Sequence, residues 1–215
     1  MNDRVSDDST KDRILDAAES IFAEKGFKGS SVRAITEKAG VNIAAVNYHF
    51  SSKTGLLEAI CDRRLIPLNK LRSERIKGIL SEAEKSKTTP RTKEVLRAFI
   101  EPTMKLKETE PGAKDFIAFI GRAFNDPDGT ARDVFLKFMK PMAELLYRAL
   151  SAALPDMPKE LLFWRLQFAM GAFGHTMQGD MTGALKAFGI EADTKVSPLE
   201  MLLDFMTAGM ESTYK

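Results

Sequence analysis

The 215-residue sequence predicts an all-α fold. Apolar residues recur at helical spacing almost throughout, and no stretch alternates like a half-buried strand. Capping residues and helix stops punctuate that pattern closely in the N-terminal quarter. The single cysteine, Cys61, excludes a disulfide framework within the chain and fits a reducing compartment.

The first helix is expected from Ser9 to Lys25. Ser9 followed by Asp12 resembles a capping box, and Ile14, Leu15, Ala18, Ile21 and Phe22 form one apolar stripe. Gly26 is the stop, because glycine takes a left-handed C-cap without steric cost. "SSVRAITEKAG" is a short second helix, capped by Ser30 or Ser31 and ended by Gly40. A third short helix follows with Asn42 as its N-cap, and Val41 and Val46 stand at the positions of a hydrophobic staple. Two short helices joined through "AGVN" make a helix-turn-helix.

Ser52 caps a long fourth helix that reaches about Glu84 and is kinked or broken near Pro67. Pro90 suits the first turn of the next helix, and Pro102 should bend it. "KDFIAFIGRAF" starts a helix ended by "NDPDG". Asp128 to Leu154 is helical with a kink at Pro141. A long apolar helix, "LLFWRLQFAMGAFGHTMQG", a loop rich in glycine and polar residues, and "PLEMLLDFMTAGMEST" complete the chain. The division expected is a helix-turn-helix domain over residues 8–68 and a larger helical domain over 69–215.

Net charge is only +2, but charge is segregated. Residues 25–53 hold Lys25, Lys28, Arg33, Lys38 and Lys53 against Glu37 alone, so five minus one gives +4. Residues 1–24 carry seven acids. A local cationic surface of this kind suits an anionic partner. In a helix-turn-helix the second helix enters the major groove with its N-terminal half toward the base edges. On the third helix Ala44, Asn47 and Tyr48 share a face. Asparagine matches the donor and acceptor of adenine, alanine meets a thymine methyl, and tyrosine reaches a phosphate or base edge. Lys53, at a helix N-terminus, is placed for a phosphate, as are Ser31 and Arg33. The expected DNA-binding set is Ser31, Arg33, Asn42, Ile43, Ala44, Ala45, Asn47, Tyr48, His49 and Lys53. Taken singly, each is equally well a cap or surface residue of a small bundle.

Together, "ILDAAESIFAEKGF", "SSVRAI", "KAGVN", "YHF" and "SSK" before a leucine pair closely resemble the DNA-binding domain of the TetR family of bacterial regulators. The match covers residues 11–57. It departs from the common pattern at Asn47, where the family often has an aromatic, and at Thr54, where it often has an acid. The resemblance implies a homodimeric, all-helical repressor with an effector-binding C-terminal domain. "AAVNYHF", "ELLFWRLQFAMGA" and "FMTAGM" further resemble the PsrA-type branch, which responds to long-chain fatty acids or their derivatives.

The C-terminal part has its own composition. Every methionine except Met1 lies after residue 100, as do most phenylalanines. Adaptable apolar side chains suit a cavity for a lipid-like guest, although a plain helical core explains any one of them equally well. The expected effector pocket is Phe99, Met104, Phe116, Phe119, Ile120, Phe124, Phe138, Met142 and Phe168, with Arg122 and Arg165 as partners for a carboxylate or phosphate. The commoner fate of either arginine is an intrachain ion pair or an exposed guanidinium. The last two helices, with Gly171, Gly174, His175, Phe205 and Gly209, are the expected dimer interface as half of a four-helix arrangement. Two-fold symmetry would then set two reading helices one DNA turn, ~34 Å, or a multiple apart. An effector preferring another spacing would lower DNA affinity.

Rival readings are a regulator of the same type answering an unrelated hydrophobic drug or metabolite, a small enzyme, and a helical adaptor without DNA binding. There is no G-x-S-x-G elbow, phosphate loop or dinucleotide fingerprint. One cysteine and two histidines, His49 and His175, leave no Cys/His zinc site. No cofactor is expected, nor enzymatic activity. The N-terminus lacks the apolar core of a signal peptide and no apolar run spans a membrane, so the expected location is cytoplasmic.

Overall fold

The computed structural model describes residues 3–124, 128–178, 181–191 and 197–213. The described residues form ten helices: α1 (Asp3–Gly29), α2 (Val32–Ala39), α3 (Ile43–Phe50), α4 (Lys53–Ser86), α5 (Thr92–Thr109), α6 (Ala113–Ala123), α7 (Thr130–Ala153), α8 (Lys159–Gln178), α9 (Met181–Ala187) and α10 (Pro198–Glu211).

α1 starts at Asp3, so Ser9 lies inside the helix rather than at its N-cap, whereas the later punctuation works as the sequence suggests. Gly26 interrupts α1 with φ +71°, a conformation that only glycine adopts freely. Ser31 caps α2 by accepting from the Ala34 N–H at 3.1 Å. Gly40 ends α2 in the left-handed conformation, and Val41 N–H reaches back to Thr36 O at 3.1 Å. That is the Schellman closure of orphan carbonyls. Asn42 caps α3 by accepting from the Ala45 N–H at 3.0 Å, and Ser52 Oγ accepts from the Gly55 N–H at 2.9 Å at the head of α4.

The helices run on through their internal prolines. α4 continues through Pro67, α5 through Pro102 and α7 through Pro141. Pro90 precedes α5, which starts at Thr92, rather than opening it. The segment expected as a loop after α8 contains α9.

The chain divides into two compact units that are not contiguous in sequence. The first comprises residues 1–67 and 107–140; the second comprises 68–106 and 141–215. A single cut after residue 68 matches the first boundary, but residues 107–140 pack with the N-terminal helices. Within the first unit, α1 packs on α2, α3 and α6. Phe22 is central: its ring lies 5.5 Å from that of Phe27 and 5.3 Å from that of Phe119. Ile14, Ile35, Val46, Leu56, Leu57 and Ile60 fill the same core. Each such burial contributes about 1.5–3 kcal/mol.

An ion-pair network crosses this core. Glu19 on α1 is only 2% exposed and Arg64 on α4 only 7%. Arg64 donates from Nε and Nη2 to the two Glu19 oxygens at 3.0 and 2.8 Å. It also donates to Pro111 O at 2.6 Å and pairs with Glu110 at 3.0 Å. Gly112 closes over them with φ +73°, and a Cβ there would stand 2.8 Å from both Arg64 Nη2 and Glu19 Oε2. The network ties α1, α4 and the α5–α6 turn together.

In the second unit α8 packs on α10. Ile76, Leu96, Ile100, Leu146, Leu150, Leu162, Leu203 and Met206 form its core. Ser197 caps α10, with Pro198 in its first turn. Glu200 joins α10 to α5: Arg97 Nη2 donates to it at 2.8 Å, and Lys93 stands 3.3 Å away. These cations hold the Glu200 carboxyl down at about 2, the Arg97 hydrogen bonds contributing most.

Candidate nucleic-acid interface

The helix-turn-helix presents one face and buries the other. On α3, Val46 and Phe50 are buried, Ala45 and His49 are half-buried, and Ile43, Ala44, Asn47 and Tyr48 are exposed. Tyr48 is 79% exposed, and its ring meets the His49 ring edge-on at 5.0 Å. No carboxylate lies on this helix, whose sequence is IAAVNYHF. The Asn42 side chain is committed to its cap, so Asn47 is the amide left on the exposed face.

The cationic residues have more partners than the sequence suggests. Arg33 is exposed and pairs with Glu37 at 3.0 Å, one turn on. Lys38 pairs with Glu24 at 3.2 Å. Lys53 differs from its expected role. Its ammonium donates to Phe27 O at 2.8 Å and Ser30 O at 3.0 Å, and stands 4.4 Å from the centre of the Phe27 ring. Lys53 thus pins the head of α4 to the α1–α2 turn. An ammonium carries three donors, and two are engaged within the chain.

Gly55 fixes the other side of the reading helix. A Cβ at this position would lie 2.2 Å from Phe50 O, the last carbonyl of α3. That is far inside contact distance, so α3 and α4 meet this closely only because residue 55 is glycine. The turn between them carries Ser51 at φ +61°. Lys53 and Gly55 both position α3, and neither role was evident from the sequence.

Residues 14–60 match the family model of bacterial regulatory proteins of the tetR family. Residues 97–209, more than half of the chain, match that of the tetracyclin repressor-like C-terminal domain. The chain belongs to the TetR family. YttP of Bacillus subtilis is 50% identical over 50 residues, 23% of this chain and 24% of YttP. The chain thus aligns with about a quarter of the length of such curated relatives. Two solved structures share the fold over nearly the whole chain. HlyIIR, a hemolysin II transcriptional regulator, is 16% identical with a TM-score of 0.62, covering 94% of this chain and 98% of its own. The fatty acid degradation regulator FadR from Bacillus halodurans is 15% identical with a TM-score of 0.59, covering 94% and 95%.

In this TetR-family chain the residues expected to form an effector pocket divide between the two units. Phe116, Phe119, Ile120, Arg122, Phe124 and Phe138 belong to the first unit, and Phe99, Met104, Met142, Arg165 and Phe168 to the second. Phe116 and Phe119 are buried in the core of the first unit, and Phe124 is exposed with its ring 5.5 Å from that of Phe135. In the second unit Phe99 and Met142 are buried, Met104 is half-buried and Phe168 is 70% exposed.

Both expected arginine ligands cap helix ends instead. Arg122 donates to Glu24 O at 2.8 Å, near the break in α1. Arg165 donates to Met210 O and Ser212 O, each at 2.8 Å, at the end of α10. A guanidinium at a helix C-terminus satisfies orphan carbonyls and meets the negative end of the dipole. A cavity of about 590 Å³ in the second unit is lined by α4 and α5 residues, including Arg75, Ile79, Arg97 and Glu101. None of the expected pocket residues lines it, and its arginines are paired, Arg75 with Glu101 at 2.7 Å and Arg97 with Glu200 of α10 at 2.8 Å.

The expected interface residues lie on an outward face. Trp164, Phe168, Gly171 and His175 are all exposed along one stripe of α8, and Met201, Phe205 and Gly209 are exposed on α10. Phe205 is 70% exposed. A Cβ on Gly171, Gly174 or Gly209 would meet open space within the chain. Among the described residues, no helix is long and apolar enough to cross a membrane, and no three His, Cys, Asp or Glu residues are grouped to hold a metal.

Proposed function

We propose that this TetR-family chain is a ligand-responsive transcriptional repressor that binds a palindromic DNA operator as a homodimer in the cytoplasm. The observation carrying this reading is the carboxylate-free outer face of α3, where Ile43, Ala44, Asn47 and Tyr48 stand exposed on a helix capped at both ends. Ser31, Arg33, Ala45, His49 and Lys53 frame it: Arg33 faces a phosphate, whereas Lys53 orients the helix first and offers one remaining donor to the backbone.

The exposed aromatic stripe of α8 with Phe205 of α10 supports pairing with a second copy, because an apolar face of this kind stays soluble when covered. The effector in this reading is a fatty acid, an acyl-coenzyme A or a similar hydrophobic molecule, held by the second unit. Its binding shifts the spacing of the two reading helices and so the affinity for DNA.

The test is selection of bound sequences from a random duplex library. A two-fold-related consensus is the expected product, and Asn47→Ala is expected to change the preferred base at a fixed position in each half. Recovery of no consensus refutes the reading. Solvent extraction of the purified protein, with mass spectrometry and titration of what is found against operator binding, tests the effector.

A further inference from the structure

Among the described residues, no carboxylate balances one buried cation of the second unit. Arg72, on α4, is 3% exposed. Its Nε donates to Phe99 O at 2.9 Å, Nη1 to Asn69 Oδ1 at 3.0 Å, and Nη2 to Thr103 Oγ1. Its guanidinium carbon lies 4.0 Å from the centre of the Phe99 ring. All these partners are neutral. Among the described residues no Asp or Glu pairs with Arg72, whereas the equally buried Arg64 has Glu19 and Glu110.

Hydrogen bonds to neutral groups satisfy donors but leave the charge uncompensated, and buried charges are ordinarily paired. Burial pulls the Arg72 guanidinium down to about 9. A guanidinium has five N–H groups. Three are used, which leaves two, one on each terminal nitrogen. The surroundings are apolar, with the Phe173 ring 6.2 Å from that of Phe99.

The geometry points to Arg72 as the receptor for the head group of an amphipathic monocarboxylate, whose chain lies against Phe99 and Phe173. One cation balances one negative charge. Among the described residues Arg72 is the one buried charged side chain of the second unit, so a head group with several phosphates brings charge that it alone cannot balance. The inference rests on the effector-binding reading above and narrows it to a free acid.

Isothermal titration of the full chain with dodecanoate, dodecanamide and dodecanoyl-coenzyme A tests it. Dodecanoate is expected to bind at least about tenfold tighter than the isosteric neutral amide, as charge-assisted hydrogen bonds outweigh neutral ones. It is also expected to bind tighter than the thioester. Arg72→Gln should bring the acid-to-amide ratio close to one while the amide still binds, and Arg72→Lys should retain part of the preference. Should Arg72→Gln fail to fold, the wild-type ratio and Arg72→Lys decide. Equal binding of acid and amide by the wild type overturns the role of Arg72 and leaves the effector reading standing. A ratio unchanged in Arg72→Gln, or in a folded Arg72→Lys a preference above that of the wild type, also overturns it. Tighter binding of the thioester overturns the single-charge argument, and binding of none of the three overturns both readings.

Discussion

Replacing Glu19 by Gln keeps the shape of the buried network and removes its negative charge. Arg64 then remains 7% exposed with a weaker set of partners. Removing one partner of a buried ion pair costs about 3–5 kcal/mol, because the other charge stays desolvated and uncompensated. Here Arg64 keeps Pro111 O and a half-exposed Glu110, which places the expected loss at the lower end, about 3 kcal/mol. At about 1.4 kcal/mol per tenfold, that is roughly a hundredfold in the folding equilibrium. Urea unfolding followed by far-ultraviolet circular dichroism, at fixed protein concentration, reads the change as a lower midpoint at unchanged slope. The paired replacement Glu19→Leu with Arg64→Met should recover most of the loss, since apolar groups of similar volume substitute well for a buried ion pair. A loss below about 1 kcal/mol for Glu19→Gln, the range of solvent-screened pairs, would refute the claim that desolvated charge holds α1, α4 and the α5–α6 turn together.

Three further outcomes are expected. Gly55→Ala drives a methyl to 2.2 Å from Phe50 O and must displace α3 from α4; a stability loss of about 1–3 kcal/mol with weaker binding to every DNA sequence is expected by melting and gel shift, and wild-type DNA binding would contradict it. Glu200, held at about 2 by Arg97 and Lys93, has its folded pKa below its ordinary value of 4.5. Its contribution is therefore fully present above about pH 4.5 and lost as pH falls toward 2, and Glu200→Gln should flatten the acid limb of an unfolding-against-pH curve. Cys61 is fully buried and its thiol is pushed up to about 12, desolvation acting most strongly; iodoacetamide should leave it unmodified at neutral pH until urea unfolds the first unit, and prompt labelling of the native protein would overturn its placement.

Where local chemistry decides, the sequence was readable. Ser31, Gly40 and Asn42 set the bounds of α2 and α3 through contacts within a few residues, and their caps follow from residue type alone. The exposed face of α3 followed from helical periodicity. What escaped depends on partners distant along the chain. Glu19 and Arg64 are 45 residues apart, and nothing local distinguishes Arg64 from the adjacent, more exposed Arg63. Lys53 looked like a phosphate ligand because its two carbonyl partners lie 23 and 26 residues upstream. Arg122 and Arg165 looked like ligand contacts because a helix end that needs capping is invisible from the helix that caps it. Prolines at 67, 102 and 141 signalled a kink or bend, and all three helices are continuous through them.

The composition of the first unit has a consequence for how the protein is made. Residues 1–67 leave the ribosome well before residues 107–140, yet Phe22 is covered by Phe119 and Arg64 is held by Pro111. While the intervening segment is being synthesised, at roughly 5–20 residues per second, the nascent helix-turn-helix lacks the piece that seals its core. The packing around Phe22 and Arg64 is therefore complete only after α6 has emerged. The same order governs transplantation: a reading head cut at residue 67 and grafted onto another regulator would carry an open seam, whereas one supplied with residues 107–140 would arrive whole.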